Sequence, residues 1–230
     1  MLTVITWLYQ PIRKGHRNYQ PEHVDRMWRM MSRYYRKPFR VVCFTDREGS
    51  EFKEQIDARP LPVDITGTFK RLWVFSRESA EMFAGERLFS VDIDVVFVRD
   101  LTGYLDRPEP LVLMEDPLVL MEDPMIKGAT YKYSPTCLLN PGVNPGIWED
   151  LDVRAMKQWY KDAGEKKVGN DMAWLSYYFR DVKVPTFVQH RARLIGDKVP
   201  GDAYIIHFSG EHKPWNKGIE RKYPWVKDYI

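Results

Sequence analysis

Cysteine is scarce: only Cys43 and Cys137 occur in 230 residues, and neither has a metal-like neighbour pattern. Both lie beside apolar residues, so they read as reduced core residues of a cytoplasmic protein. No apolar run is long enough to cross a bilayer. The opening Met1-Leu-Thr-Val-Ile-Thr-Trp-Leu-Tyr9 lacks the basic start and the small-residue cleavage site of a signal peptide. Excess charge of one sign is missing too. The 35 basic and 32 acidic residues leave a net +3, which gives no argument for nucleic acid or for an anionic membrane as partner. A local anion such as a phosphate stays open.

What is present describes a globular domain. The chain is 44% hydrophobic and 29% charged, which excludes a disordered class, and its length is that of one domain with a substantial core. Aromatics make up 14%, with 8 Trp, a content that fills cores and also lines sites for sugars and bases.

Strand and helix signals alternate along the chain. Leu2 to Trp7 reads as a buried strand, and Tyr9 to Gln20 as a polar, basic loop. Pro21 opens a helix with Val24, Met27, Trp28, Met31 and Tyr35 at helical spacing. Arg40 to Thr45 is a second strand, ending at Asp46 in a turn, and a short strand is expected near Ala58 to Leu61. Thr68 to about Phe83 is expected as one helix, and Gly103 to Pro110 as a loop. Thr130 to Leu139 follows as a strand, with consecutive turns at Asn140 to Gly146. Helices are expected over Ile147 to Lys161 and Asp171 to Arg180, then strands over Val182 to Val188 and Ala203 to Phe208. The tail beyond has no clear period and is expected to wrap the surface. This order predicts an α/β fold with a mostly parallel sheet flanked by helices.

The chain is organised around Leu88 to Val98, an apolar, β-branched run with two carboxylates inside it. In a strand, the i, i+2 spacing sends Asp92 and Asp94 to one side, where the two like charges call for a cation. Hard oxygen ligands favour Mg²⁺ or Mn²⁺. The competing reading is two short strands broken by a turn, with both acids solvated. In open α/β sheets ligands bind beyond the carboxyl ends of strands, and Asp46, Asp92, Asp94 and His207 all fall at or near such ends. One oddity has no functional account: Leu111 to Pro117 is repeated at once, residue for residue, as Leu118 to Pro124.

Two motifs stand together, Ser90-Val-Asp-Ile-Asp94 after an apolar strand and His207-Phe-Ser-Gly-Glu-His-Lys-Pro-Trp215 near the end. The pairing resembles the nucleotide-sugar glycosyltransferases of the GT-A fold, especially glycosyltransferase family 8. Those enzymes carry an aspartate-x-aspartate motif and a late histidine-x-x-glycine-x-x-lysine-proline-tryptophan motif, matched here at every fixed position. Thr3 to Trp7, Tyr19 to Val24, Val41 to Asp46, Arg71-Leu72, Leu101 to Leu105 and Gly169-Asn-Asp171 are similar in order as well. The fold so implied is a single GT-A-type domain with a Rossmann-like sheet. Its donor-binding half would span about residues 1–105 and its acceptor half about 106–230.

The resemblance also implies roles. Asp92, Asp94 and His207 would hold Mn²⁺, or Mg²⁺, with Asp92 also touching the donor ribose and Ile93 lying in the same donor-binding run. Gly210 would let the backbone approach the donor pyrophosphate, and Lys213 would neutralise it. Arg71 stands where the family has a basic residue near the sugar, with Lys70 one residue away as the alternative. Asp171 would face the transferred sugar, and it is also a good helix N-cap. Met172 departs from the family, where glutamine is frequent, so no nucleophile is named. His212 is expected to be exposed, and Ser134 and Thr136 lie where relatives contact the sugar. Thr6, Tyr9 and Asp46 are the candidates for the nucleotide base and ribose.

These positions imply a metal-dependent hexosyltransferase. Its donor would be a nucleoside-diphosphate sugar, a UDP-sugar by preference, and its acceptor a hydroxyl of unspecified identity. Retention of anomeric configuration follows from the resemblance alone. The alternative is a non-catalytic nucleotide-sugar or glycan binder on the same fold. A nucleotidyltransferase is a weaker third reading, because Arg13-Lys14-Gly15 is a poor phosphate loop.

Overall fold

The computed structural model describes residues 1–9, 19–65, 67–115, 131–164, 169–188, 190–192, 195, 197–208 and 213–229. Among them the strands are, in chain order, β1 (Leu2–Leu8), β2 (Phe39–Thr45), β3 (Ile56–Pro60), β4 (Arg87–Ser90) and β5 (Val95–Phe97). The later strands are β6 (Leu111–Glu115), β7 (Tyr133–Leu139), β8 (Thr186–Val188), β9 (His190–Arg191) and β10 (Ile205–His207). The helices are α1 (Pro21–Tyr34), α2 (Arg77–Met82), α3 (Thr102–Leu105), α4 (Gly146–Glu149), α5 (Val153–Asp162), α6 (Asp171–Tyr178) and α7 (Ile219–Lys222). None of the described helices is long and apolar enough to cross a membrane.

Two compact units result, each assembled from separate stretches. The first takes Met1–Pro62, Val91–Pro108 and Gln189–Ile230, and the second Val63–Ser90 and Glu109–Val188.

In the first unit β1, β2 and β3 run parallel. All seven residues of β1 are buried, as a continuous apolar, β-branched run demands. The connection from β1 to β2 carries α1, which starts at Pro21 and buries Val24, Met27, Met30 and Met31 along one stripe. It stops where the Tyr35 N–H, already in extended backbone, donates to the Met31 carbonyl at 2.8 Å. Leu8 pairs with Thr45, so β1 and β2 end level and Tyr9 and Asp46 leave the same edge. A small second sheet has β10 at its centre, antiparallel to β5 and parallel to β9.

The tail corrects an expectation. Instead of wrapping the surface, it buries Ile219, Tyr223, Trp225 and Val226. Phe208 meets the Tyr223 and Trp225 rings at 5.5 and 5.9 Å. Aperiodic spacing hid this, because a chain that turns every few residues buries side chains without a helical or strand repeat.

In the second unit β7 lies antiparallel to β4 and β6, and β6 runs parallel to β8. The expected helix over Thr68 to Phe83 is a 3₁₀ stretch, Gly67–Phe75, followed by α2. Ser76 makes the break, its hydroxyl accepting the Ser79 N–H at 3.0 Å as a new N-cap. The helix expected over Ile147 to Lys161 is likewise divided, by Asp152, whose Oδ1 accepts the N–H groups of Arg154 and Ala155 at 2.9 Å each. Two strand expectations were too long, since Val182 to Val188 shortens to β8 and Ala203 to Phe208 to β10. The Gly103 to Pro110 loop begins inside the single turn of α3. Leu111 to Glu115 of the duplication form β6, and the second copy lies outside the described residues.

Both thiols are free and buried, as expected. Burial pushes the Cys137 thiol up to about 12.

Candidate metal and donor site

The run Leu88 to Val98 is not one strand. β4 ends at Ser90, the chain turns through Val91 to Asp94, and β5 begins at Val95. The two-strand reading therefore holds for the backbone, but its solvated acids do not follow. Asp94 is 4% exposed and Asp92 is half-buried. The acids converge because the turn is pinned rather than because a strand alternates. The Val91 N–H donates to the Ile5 carbonyl of β1, and the Phe208 N–H to the Asp94 carbonyl, both at 2.9 Å.

Strand pairing then delivers the histidine. β10 runs antiparallel to β5 with His207 opposite Val95, one residue beyond Asp94. The His207 Nε2 lies 3.2 Å from Asp94 Oδ1 and 3.6 Å from Asp92 Oδ2. A one-residue slip would turn the imidazole to the other face of the sheet.

Lys213 approaches from the segment after β10. Its ammonium pairs with Asp94 Oδ2 and donates to the Phe208 carbonyl at 2.7 Å. Tyr19, just before α1, donates its hydroxyl to the same Asp94 Oδ2 at 3.0 Å, and its ring lies 5.6 Å from the Lys213 Nζ. Burial by itself would raise the Asp94 carboxyl. The charges and hydrogen bonds of His207 and Lys213 outweigh it and hold the group well below the usual carboxylate range.

Asp92, Asp94 and His207 pass a test of fit for a hard divalent cation. Their ligand atoms all lie within 4.8 Å of one another. Neighbouring ligands about 2.1 Å from an octahedral ion stand about 3 Å apart, close to the 3.2 and 3.6 Å seen around His207. Two carboxylates and an imidazole suit Mn²⁺ or Mg²⁺ better than a thiophilic metal. With Asp94 Oδ2 engaged by Lys213 and Tyr19, Oδ1 is the atom turned toward His207.

Trp215 fastens the tail motif to α1. Its indole stacks on His23 with centroids 3.8 Å apart and an interplanar angle of 13°, and meets Tyr19 edge-on at 5.5 Å. The His23 Nδ1 accepts the Gln20 N–H at 2.9 Å, so the imidazole caps the helix and carries the indole at once. Burial, with Arg26 adding to it, lowers the His23 pKa from 6.5 to about 4. Sequence reading missed the parts played by Tyr19 and His23. Nothing local marks a Tyr or His for contact with residues more than seventy positions away.

Thr6 is fully buried in β1, and its Oγ1 has no hydrogen-bond partner among the described residues. Tyr9 is half-buried at the end of β1, Asp46 exposed at the end of β2, and Ile93 buried in the turn between the two acids. Gly210 and His212 lie outside the described residues.

In the second unit Arg71 and Asp171 meet directly. The Arg71 Nε donates to Asp171 Oδ2 at 2.6 Å, with Asp171 1% and Arg71 13% exposed at the side chain. Asp171 also receives the Met172 N–H on Oδ1 at 3.1 Å. It is not the N-cap. That place is taken by Asn170, whose side chain accepts the Ala173 N–H at 2.8 Å and leaves the Asp171 carboxylate to the arginine. Lys70, the alternative to Arg71, is buried as well. Ser134 and Thr136 are buried in β7, the Ser134 hydroxyl accepting the Thr136 N–H at 3.3 Å.

No family model and no curated protein sequence matches the chain. Solved structures do. The galactosyltransferase LgtC, in complex with donor and acceptor sugar analogues, superposes with a TM-score of 0.57 at 15% identity, over 99% of this chain and 96% of that one. The glycosyltransferase GlyE of Streptococcus pneumoniae TIGR4 gives 0.55 at 12% identity over 94% of this chain, which spans 57% of GlyE. Across nearly its whole length, then, the chain has the GT-A-type α/β fold of these glycosyltransferases.

Proposed function

We propose that this protein is a metal-dependent glycosyltransferase that moves a hexose from a nucleoside-diphosphate sugar, by preference a UDP-sugar, to an acceptor hydroxyl. The observation that carries the proposal is the meeting of Asp92, Asp94 and His207, with Lys213 beside them, in a chain that shares its fold with glycosyltransferases. A divalent cation, Mn²⁺ in this proposal, supplies a Lewis acid for the donor's diphosphate oxygens.

The chain's own residues do the rest. Asp92, Asp94 and His207 hold the cation, while Tyr19 and the Phe208 carbonyl fix Asp94 and Lys213 in place. Lys213 brings a fixed positive charge to that point, and so stabilises the charge that builds on the departing diphosphate. Gly210 completes the proposed diphosphate contact. Thr6, Tyr9, Asp46 and Ile93 form the proposed nucleotide-binding set, supported by the buried Thr6 hydroxyl, which has no hydrogen-bond partner among the described residues. In the second unit Asp171, oriented by Arg71, is the proposed sugar-facing carboxylate. Retention of configuration and cytoplasmic residence belong to the same proposal, the latter supported by the two free thiols.

Release of nucleoside diphosphate from a panel of sugar donors, with and without Mn²⁺, is the test. Mn²⁺-dependent release is expected, lost in Asp92→Asn and His207→Gln, whose side chains are only partly buried. Saturable donor binding without release identifies a non-catalytic binder. Turnover that survives both substitutions removes the metal assignment.

A further inference from the structure

Trp215 also lines an open pocket of about 390 Å³ in the first unit, a volume typical of small-molecule sites. Neither Asp92, Asp94 nor His207 borders it. Among the described residues its charged lining is Arg26 of α1, Lys217, Glu220 and Lys227, three cations against one anion, or a net +2. Lys217, Glu220 and Lys227 are exposed, whereas Ile219 and Val226 supply a buried apolar floor.

Arg26 is the unusual member. Its guanidinium carbon lies 5.7 Å from the Trp215 ring centroid, and its Nη1 is buried with no hydrogen-bond partner among the described residues. Burial, together with Arg29 nearby, opposes its charge, and Glu22 offsets this only in part. A guanidinium cannot shed its proton at ordinary pH, so Arg26 stays charged in the pocket wall.

We infer that this pocket binds a phosphomonoester, its phosphoryl group taken by Arg26 with Lys217 and Lys227 and its body laid on the Trp215 indole. A phosphomonoester carries about −1.5 to −2 charge at neutral pH, which matches the pocket, while a carboxylate carries half as much. Its oxygens suit the planar guanidinium fork, and the two lysines add charge without demanding one geometry. The inference stands apart from the proposed transfer reaction, since it uses none of the cation-binding residues.

Thermal shift and calorimetric titration without metal test it, using inorganic phosphate, glucose 6-phosphate, glucose and ionic-strength-matched sodium chloride. Saturable stabilisation by the two phosphates is expected, tighter for glucose 6-phosphate, with no effect of glucose or of the salt. Arg26→Gln should weaken glucose 6-phosphate by about tenfold or more. The double substitution of the exposed lysines, Lys217→Gln with Lys227→Gln, should do likewise, and it carries the test should the arginine variant not fold. Unchanged phosphate affinity in these variants, or a response reproduced by sodium chloride, overturns the site. Equal affinity for glucose 6-phosphate and inorganic phosphate overturns the indole contact.

Discussion

Replacing Lys213 with methionine keeps the length of the stem and removes the charge, which isolates what the ammonium contributes. Lys213 is 3% and Asp94 4% exposed, so neither charge is rescued by solvent when its partner goes. The substitution breaks the ion pair and also orphans the Phe208 carbonyl, now bonded at 2.7 Å. Removing one member of a buried pair costs about 3–5 kcal/mol. Asp94 keeps Tyr19 at 3.0 Å and His207 at 3.2 Å, which places the expectation near the lower end. For a chain of this size a loss of about 3 kcal/mol lowers the melting temperature by roughly 6–12 °C.

Urea unfolding followed by circular dichroism, with a thermal scan alongside, measures this directly. The companion variants are Asp94→Asn and the double substitution. With both charges gone the double variant should recover about 1.5 kcal/mol or more relative to the sum of the singles, because no unpaired charge is left buried. Mn²⁺ should stabilise Lys213→Met more than the parent, since a cation at the carboxylates takes over the role of the lost ammonium. A Lys213→Met protein within about 0.5 kcal/mol of the parent, or additive single effects, would refute the reasoning and return Lys213 to the status of an ordinary turn lysine.

His23 gives a pH dependence. Its pKa falls from 6.5 unfolded to about 4 folded, so between these values the unfolded chain binds the extra proton and stability drops as the pH is lowered. The full drop is of order 3 kcal/mol, complete near pH 4, and urea midpoints at pH 7.5 and 4.5 should reveal it as a slope that His23→Gln flattens. At the second centre, Arg71→Met strands the buried Asp171 carboxylate and should cost about 3 kcal/mol in the same assay. Arg71→Lys should restore only part of this, because an ammonium cannot reproduce the planar guanidinium contact. A fully neutral Arg71→Met would show that Asp171 is solvated in solution.

Local chemistry wrote much of this protein openly. The buried run of β1, the Pro21 start and apolar stripe of α1, the apolar setting of both cysteines and the alternation of strands with helices each follow from residue type and period. Helix breaks were legible only in hindsight. Ser76 and Asp152 are ordinary polar residues until their side chains are seen capping.

By itself the sequence named the candidates: two acids whose like charges call for a cation, and, through the family resemblance, a distant histidine and a lysine. Only the tertiary structure decided how they meet. The acids converge through a turn pinned to β1, the histidine arrives through the β5–β10 register, and Asp94 is buried between Tyr19 and Lys213. Residue type and spacing along a chain fix which groups can interact. Strand register and desolvation, which depend on partners a hundred residues away, fix which groups do, and at what charge.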